Sequence, residues 1–165
     1  MKSGKCYAYI DGANLHKGTA GLGWRVDYSR LQTWLKDKYQ INRAYVFMGF
    51  IAKYEELYRK IRAAGFTLIF KEIVYDKAGK PKGNCDTDLA IRAVADIYEN
   101  KVNSIVLVTS DGDYACLVTF LKEHLIHSTI ISPSREEECS ILLKRTDAPI
   151  VYISEQRSKL ELHTF

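Results

Sequence analysis

The sequence predicts an α/β domain in which a central, mostly parallel sheet is covered by helices on both faces. Strand-like and helix-like runs alternate along all 165 residues, which is typical of parallel strands joined by crossover helices. The run Ser104–Val108 is short, apolar and rich in β-branched residues, as strands buried on both faces are. The length suits one domain with its own core, so we expect a single domain over residues 1–165.

Six apolar runs of strand length make up the predicted sheet. They cover residues 6–10, 44–50, 66–75, 104–108, 129–131 and 150–153. The first run ends at Asp11-Gly12, and the glycine-rich stretch that follows is interpreted as a loop. A second loop, rich in lysine and glycine, is predicted over residues 76–83.

Apolar residues at helical spacing predict a helix between successive strands and a last helix after the sixth. The helices lie around residues 31–39, 54–61, 86–97, 114–121 and 136–144, and from about residue 154 onward. Asp27 or Ser29 is expected to cap the first helix, and Gly65 to end the second. Ser134, with Glu137 three residues later, matches a capping box, so the acidic run there is interpreted as a helix start without a catalytic role.

Three aspartates come directly after predicted strands. Asp11 ends the first strand, and Asp111 and Asp113 follow the strand Ser104–Val108. Open parallel sheets bind ligands beyond the carboxyl ends of their strands, so we expect these side chains to lie near one another. Gly112, between the last two acids, allows a tight turn that aims both carboxylates at one point.

Asp86 is a fourth candidate because of its helical phase. At about 100° per residue it lies in line with Ala90 and Ala93 on the sheet-facing stripe, and we expect it to point toward the same crevice. Asp88 lies about 200° away, on the face that carries Arg92, and is the weaker candidate. Each aspartate alone would also serve as a helix cap or a turn residue. Their order along the chain favours a shared site.

The expected group of carboxylates points to metal-assisted phosphate chemistry. Carboxylates gathered closely repel one another unless a cation or shared protons compensate. Hard oxygen ligands are what Mg²⁺ and Mn²⁺ take. Such an ion orients a phosphodiester, stabilises charge on the leaving oxygen and lowers the pKa of an attacking water. The sequence therefore predicts a Mg²⁺ or Mn²⁺ site at the aspartates.

Three ordered motifs of the chain carry a family resemblance. They are YIDGAN at residues 9–14, KGNCDTDLA at residues 82–90 and LVTSDGDY at residues 107–114. The first resembles an opening strand with Asp-x-x-Asn, the second a lysine, glycine and aspartate segment entering a helix, and the third a strand followed by Ser-x-Asp-x-Asp-Phe. Together they resemble the NYN domain family, a PIN-like nuclease group that includes the LabA-like bacterial proteins. The likeness continues through Ser140, Leu143 and Asp147, over nearly the whole chain.

The resemblance implies a three-layer, PIN-like fold and divalent-metal-dependent cleavage of RNA. The implied catalytic acids and ligands of Mg²⁺ or Mn²⁺ are Asp11, Asp86, Asp111 and Asp113. Asn14, with Ser110 or Thr109, would position ligands or water by hydrogen bonds, and Lys82 would meet a phosphate. Related sequences often carry another acid about one turn into the Asp86 helix, where this chain has Arg92. A ribonuclease is therefore one hypothesis, and an RNA-binding or regulatory module without turnover is the alternative.

Basic and aromatic residues on loops beside the expected site predict single-stranded RNA as the partner. The basic candidates are Lys17, Arg25, Lys53, Lys77, Lys80 and Lys82. Trp24 and Tyr54 are candidate base-stacking surfaces. The net charge of +4 suits a polyanionic partner and a solvated surface equally. The sequence leaves open whether the chain forms a homodimer.

Other classes of site and location fit less well. An aspartyl-phosphate phosphatase with Asp11 as nucleophile usually has a second acid two residues later, where this chain has Ala13. The glycines at residues 18, 21 and 23 do not form a dinucleotide-binding G-x-G-x-x-G. The four cysteines lack zinc-binding spacing, and the four histidines have no visible nucleophile partner. With no apolar run near the ~18 residues of a membrane span, we expect a cytoplasmic protein with no membrane partner.

Overall fold

Six parallel strands form the central sheet of the computed structural model, which describes residues 4–163. The strands in chain order are β1 (Cys6–Asp11), β2 (Arg43–Gly49), β3 (Thr67–Lys71), β4 (Val74–Tyr75), β5 (Pro81–Lys82), β6 (Ser104–Val108), β7 (His127–Ser132) and β8 (Ile150–Tyr152). The sheet order is β3-β2-β1-β6-β7-β8, while β4 and β5 pair as a separate antiparallel hairpin. The strand order therefore reverses between β1 and β6.

Seven α-helices cover the sheet in the described part of the chain. They are α1 (Gly12–Gly21), α2 (Tyr28–Tyr39), α3 (Glu55–Ala63), α4 (Asp86–Tyr98), α5 (Ala115–Glu123), α6 (Ile141–Lys144) and α7 (Arg157–Leu160). Helices α1, α2, α3 and α7 bury side chains in one core, and α4, α5 and α6 in a second. The predicted three-layer α/β fold with helices on both faces is confirmed.

Alternate residues of each strand enter opposite cores. Ile10 of β1 packs into the first core with Leu31 of α2, whereas Tyr9 packs into the second core with Leu89 of α4. Because helices exclude water from both faces, the central strands β1, β2 and β6 are almost continuously apolar. None of the helices in residues 4–163 is long and apolar enough to cross a membrane.

The glycine-rich stretch after β1 is helix α1, so the prediction of a loop is wrong. A Cβ on Gly12 would lie 2.9 Å from the carbonyl oxygen of Phe47, and one on Gly18 would lie 2.7 Å from that of Pro133. Both distances are shorter than a carbon and an oxygen can approach. Gly12 and Gly18 therefore let α1 lie close to neighbouring backbone, which explains these two glycines without a loop.

The predicted strand over residues 66–75 is divided into two. Strand β3 ends at Lys71, and β4 turns out of the sheet to pair with β5. Asp76 closes the hairpin, because its Oδ1 accepts hydrogen bonds from the backbone N–H groups of Ala78 and Lys80, both at 2.9 Å. Periodicity alone does not show this break, since both halves are apolar.

The segment over residues 136–144 contains a 3₁₀ turn and the short helix α6 instead of one helix. Ser140 caps α6, with its Oγ accepting from the Leu142 N–H at 3.2 Å. The Ser134 hydroxyl instead interacts with Ser132 and with the carbonyl of Arg135. The predicted capping box at Ser134 is therefore wrong. By contrast, Asp27 caps α2 by accepting from the Arg30 N–H at 3.1 Å, as expected.

Candidate metal centre

Four aspartates approach one another beyond the carboxyl ends of β1 and β6. Asp11 is the last residue of β1, Asp86 is the first of α4, and Asp111 and Asp113 belong to the turn after β6. The carboxylate oxygens of Asp86, Asp111 and Asp113 lie within 4.8 Å of one another. The group sits where the strand order reverses, which is the usual ligand position in such sheets.

The backbone of the turn after β6 is fixed by hydrogen bonds. Thr109 Oγ1 accepts from the Asp111 N–H at 3.1 Å, and Asp111 Oδ1 accepts from the Asp113 N–H at 2.9 Å. A Cβ at Gly112 would overlap the Ser140 hydroxyl. Gly112 does not have a positive φ, so the turn does not need glycine for its conformation. The small size of Gly112 instead lets α6 pack closely against the turn that carries Asp111 and Asp113.

Asp11 is the most buried of the four acids, with 7% of its surface exposed. It caps α1, and its Oδ1 accepts from the Asn14 N–H at 3.1 Å. The pKa of Asp11 is raised to about 6, mainly by burial; the Asn14 N–H opposes the shift, and the charges of Asp86 and Asp111 add to it. The fold therefore holds a carboxylate where desolvation and like charges both disfavour its ionised form.

Asn14 and Ser110 bond to each other and join α1 to the turn after β6. Asn14 Oδ1 accepts from the Ser110 N–H at 2.9 Å and from the Ser110 hydroxyl at 3.0 Å. Thr109, the alternative to Ser110, is fully buried and bonds the backbone of Asp111 instead. The Asn14–Ser110 pair thus maintains the spacing between Asp11 and Asp111.

Asp86 faces the acidic group, whereas Asp88 does not belong to it. Burial is the main reason that the pKa of Asp86 is raised, and the charges of Asp111 and Asp113 add to the effect. Asp88 instead forms an ion pair with Lys71, whose Nζ lies 3.2 Å from Asp88 Oδ2. Asp86 therefore belongs to the acidic group, whereas Asp88, two residues later in α4, has a basic partner instead.

Tyr114 is a site residue that the sequence does not indicate, because its spacing predicts only a place on the buried face of a helix. Its side chain is 1% exposed, and its hydroxyl has no hydrogen-bond partner within residues 4–163. The hydroxyl nevertheless lies close enough to Asp11 and Asp86 to lower the pKa of both carboxyls. The one signal in the sequence is that the resembling motif ends in Phe where this chain has Tyr.

The basic residues expected to contact RNA are spread over several elements, with Lys53 in the 3₁₀ turn Ala52–Tyr54 and Lys77 in the β4–β5 turn. Lys17 is exposed on α1, and Arg25 is exposed beside the C-terminal segment, where its carbonyl accepts from the Leu162 N–H at 2.8 Å. Lys80 and Lys82 are exposed on the β4–β5 hairpin.

The two candidate stacking rings have different surroundings. Trp24 is only 6% exposed within the first core, so its predicted role as a stacking surface is wrong. Tyr54 is 43% exposed, with Lys53 Nζ 5.0 Å from its ring centroid. Of these two rings, that of Tyr54 is therefore the one open to a base.

The acidic group has the oxygen ligands that a hard divalent cation requires. Within residues 4–163, none of the four carboxylates forms an ion pair with a basic side chain. Three of them bring one oxygen each within 4.8 Å of one another, and the buried Tyr114 hydroxyl lies beside Asp11 and Asp86. Oxygen ligands of this kind fit Mg²⁺ or Mn²⁺, and a cation there would offset the like charges that add to burial in raising the pKa of Asp11.

Comparison with known proteins identifies the family and the fold of the chain. The sequence pattern of the NYN domain matches residues 5–153. A crystal structure of a protein of unknown function from Vibrio parahaemolyticus is similar, with a TM-score of 0.75 and 20% sequence identity over 93% of this chain and 96% of that one. At this identity the likeness concerns the fold alone. No curated protein matches the chain.

Proposed function

This chain belongs to the NYN domain family of PIN-like nucleases, and we propose that it is a ribonuclease that uses Mg²⁺ or Mn²⁺ to hydrolyse RNA phosphodiester bonds. One observation carries the proposal. The carboxylate oxygens of Asp86, Asp111 and Asp113 lie within 4.8 Å of one another, beside the buried Asp11. Carboxylates kept this close without basic partners are suited to a divalent cation.

Each residue of the site has a distinct part in this proposal. Asp86, Asp111 and Asp113 would hold the ion, which when bound would stabilise charge on the phosphate and lower the pKa of a nearby water. Asp11, buried beside these three acids, would accept a hydrogen bond from the attacking water. The Asn14–Ser110 hydrogen bonds would keep the distance between Asp11 and Asp111 constant during the reaction.

Single-stranded RNA is the substrate class that the surroundings favour. Exposed rings follow the carboxyl ends of β2 and β3, with Phe50 at 50%, Tyr54 at 43% and Tyr75 at 60% exposure. Lys80 and Lys82 share the hairpin with Tyr75. Exposed rings suit stacking on unpaired bases, and lysines suit the phosphates between them. A paired helix would not offer its bases to these rings.

The reducing cytoplasm is the proposed location. All four cysteines are free thiols, and three of them are buried. Disulfides are rare in cytoplasmic proteins, because cellular thiols keep cysteines reduced there. The free thiols support this location without requiring it.

Arg92 favours a second candidate, an RNA-binding module without turnover. Where related sequences often carry an acid, the guanidinium of Arg92 packs over the ring of Tyr45, with its Cζ 5.7 Å from the centroid. This side chain contributes no oxygen ligand to the aspartates. A site with fewer ligands would bind RNA beside the cluster yet hold the metal too weakly for cleavage.

The proposal is tested by incubating single-stranded RNA with the protein and Mg²⁺, Mn²⁺ or EDTA. We expect cleavage with either metal, none with EDTA, and none by Asp11→Asn or Asp111→Asn. Asp37→Asn, on the exposed surface of α2, is the matched control and should cleave normally. Unchanged cleavage by both site variants would refute the proposal, and salt-sensitive RNA binding without cleavage in any metal would establish the second candidate.

A further inference from the structure

Lys71 lies at the same edge of the sheet as the four aspartates. In the sheet register, Asp11 is level with Phe47 and Phe47 with Ile69. Lys71 comes two residues after Ile69, so its side chain leaves the same face of the sheet. This is the face that α4 covers. A long side chain at this position can therefore reach toward the N-terminus of α4.

An ion pair with Asp88 directs the Lys71 ammonium to that helix terminus. Lys71 Nζ lies 3.2 Å from Asp88 Oδ2, and the two side chains are 36% and 48% exposed. Asp88 is two residues after Asp86, the α4 residue of the acidic group. The positive charge of Lys71 also reaches Asp86, because it lowers the pKa of that carboxyl.

The end of the hairpin leaves space for the Lys71 side chain. A Cβ on Gly83 would lie 4.0 Å from Lys71 Cε and 3.9 Å from the carbonyl oxygen of Glu72. The lysine therefore passes between the residue after β5 and the first turn of α4. Its ammonium is left at the open border between the aspartates and the exposed hairpin.

The ion pair does not need all the bonding capacity of Lys71. An ammonium has three N–H donors, and Asp88 is the one carboxylate that pairs with Lys71 within residues 4–163. Ion pairs between exposed side chains add little to stability and are weakened by salt. A cation beside the acidic group would also oppose the binding of a metal ion. These features suit a lysine that binds an anion arriving at the site.

We infer that Lys71 binds a phosphate of the RNA strand next to the acidic group, and that Asp88 holds Lys71 in position for it. This inference rests on the proposed function and adds a contact that the sequence motifs do not contain. Lys71 would bind the strand, and Asp88 would be a positioning residue that does not touch RNA.

The first test measures binding of a fluorescent single-stranded oligoribonucleotide in EDTA at several KCl concentrations. We expect Lys71→Met to weaken binding roughly tenfold, the loss of one charge-assisted hydrogen bond. The slope of log affinity against log salt should become shallower by about 0.7, the value for one single-strand phosphate contact. Lys71→Arg, which keeps the charge, should bind nearly as the wild type does.

The second test measures Mn²⁺ affinity without RNA, by electron paramagnetic resonance. Because Lys71 repels a metal ion, Lys71→Met should bind Mn²⁺ more tightly than the wild type, although it binds RNA more weakly. A purely structural lysine would not shift the two affinities in opposite directions. Asp88→Asn keeps the Lys71 ammonium but removes its ion-pair partner, so the ammonium is no longer held in position. We therefore expect RNA affinity to be retained while kcat falls.

Lys36→Met is the matched control, because Lys36 is exposed on the last turn of α2. It should change neither the RNA affinity nor the salt slope. If Lys71→Met resembles Lys36→Met in both, while the wild type binds and cleaves RNA, the inference is wrong and the proposed function stands. If the wild type neither binds nor cleaves RNA, both are wrong.

Discussion

Two buried aspartates beside the same face of the sheet have opposite surroundings. Asp96 of α4 is 1% exposed, and it accepts a hydrogen bond from the Tyr9 hydroxyl at 2.7 Å, with Lys101 Nζ at 3.9 Å. Asp11 is 7% exposed, and its close charged neighbours are Asp86 and Asp111. One carboxylate is thus compensated within the fold, whereas the other is placed among like charges.

This difference distinguishes an acid stabilised within the fold from one that we propose to be functional. Burying a carboxylate is costly unless donors or cations compensate its charge. Tyr9 and Lys101 do this for Asp96, so that residue needs no ligand. Asp11, Asp86, Asp111 and Asp113 form no ion pair within residues 4–163, and the Asn14 N–H that donates to Asp11 at 3.1 Å does not outweigh the burial of that carboxylate. Their arrangement supports the proposed site for a divalent cation.

The largest expected effect concerns activity. Asp111→Asn should lower kcat/KM for single-stranded RNA by on the order of 10²–10³, the usual loss when one electrostatic contact to a transition state is removed. Asp96→Asn should leave the activity of the folded fraction near that of the wild type, because Asp96 lies outside the acidic group. Rates are normalised to the folded fraction from circular dichroism. Equal losses in the two variants would remove the distinction between the two acids.

The next effect is on the free energy of unfolding of Asp11→Asn without metal. The folded pKa of Asp11 is about 6, above its ordinary value of 3.8, so the folded state binds more protons between these values and the wild type loses stability as pH rises through them. Above pH 6 the cost is roughly 2–4 kcal/mol. Asparagine still caps the helix, so Asp11→Asn should be more stable than the wild type at pH 7.5, and the difference should vanish below about pH 4.

Urea unfolding in EDTA from pH 4 to 7.5 measures this dependence. Asp27→Asn is the matched control, because Asp27 also caps a helix with a 3.1 Å bond and lies outside the acidic group. It should not gain stability as pH rises. Saturating Mg²⁺ should stabilise the wild type more than Asp11→Asn. If Asp11→Asn is less stable than the wild type at pH 7.5 in EDTA, the uncompensated charge proposed for Asp11 is wrong.

Tyr9→Phe tests the compensated carboxylate. This change removes the hydroxyl that donates to Asp96 at 2.7 Å and leaves the carboxylate buried, so the free energy of unfolding should fall by about 1–3 kcal/mol. RNA cleavage by the folded protein should be unchanged. Thermal and urea unfolding provide the measurement. An unchanged stability would mean that Asp96 does not depend on Tyr9.

Tyr114→Phe should have the smallest effect on stability. Its hydroxyl has no hydrogen-bond partner in the described chain, so its removal should change the free energy of unfolding by less than about 1 kcal/mol. The hydroxyl lowers the pKa of Asp11 and Asp86, so its loss should weaken Mn²⁺ binding severalfold. A loss of stability as large as that of Tyr9→Phe would show that the two hydroxyls are equivalent.

The sequence predicts the fold better than the contacts of the site. Strand β6 and the Asp27 cap are local patterns, and the structure confirms both. The sequence does not reveal helix α1, because Gly12 and Gly18 are required by close contacts with Phe47 and Pro133, which are distant in sequence. The Lys71–Asp88 pair also joins segments that only the fold brings together. Periodicity reports which side of an element is buried, and it does not report which polar atoms meet there.

The most direct test of the proposed metal site is the anomalous difference map of a crystal soaked in MnCl₂. A peak within ligand distance of the carboxylates of Asp86, Asp111 and Asp113 is expected, and it should be absent in crystals of Asp111→Asn. Asp96 should show no peak in either crystal. A fully soaked wild-type crystal without a peak at the three carboxylates would contradict the central claim that they are held together to bind a divalent cation.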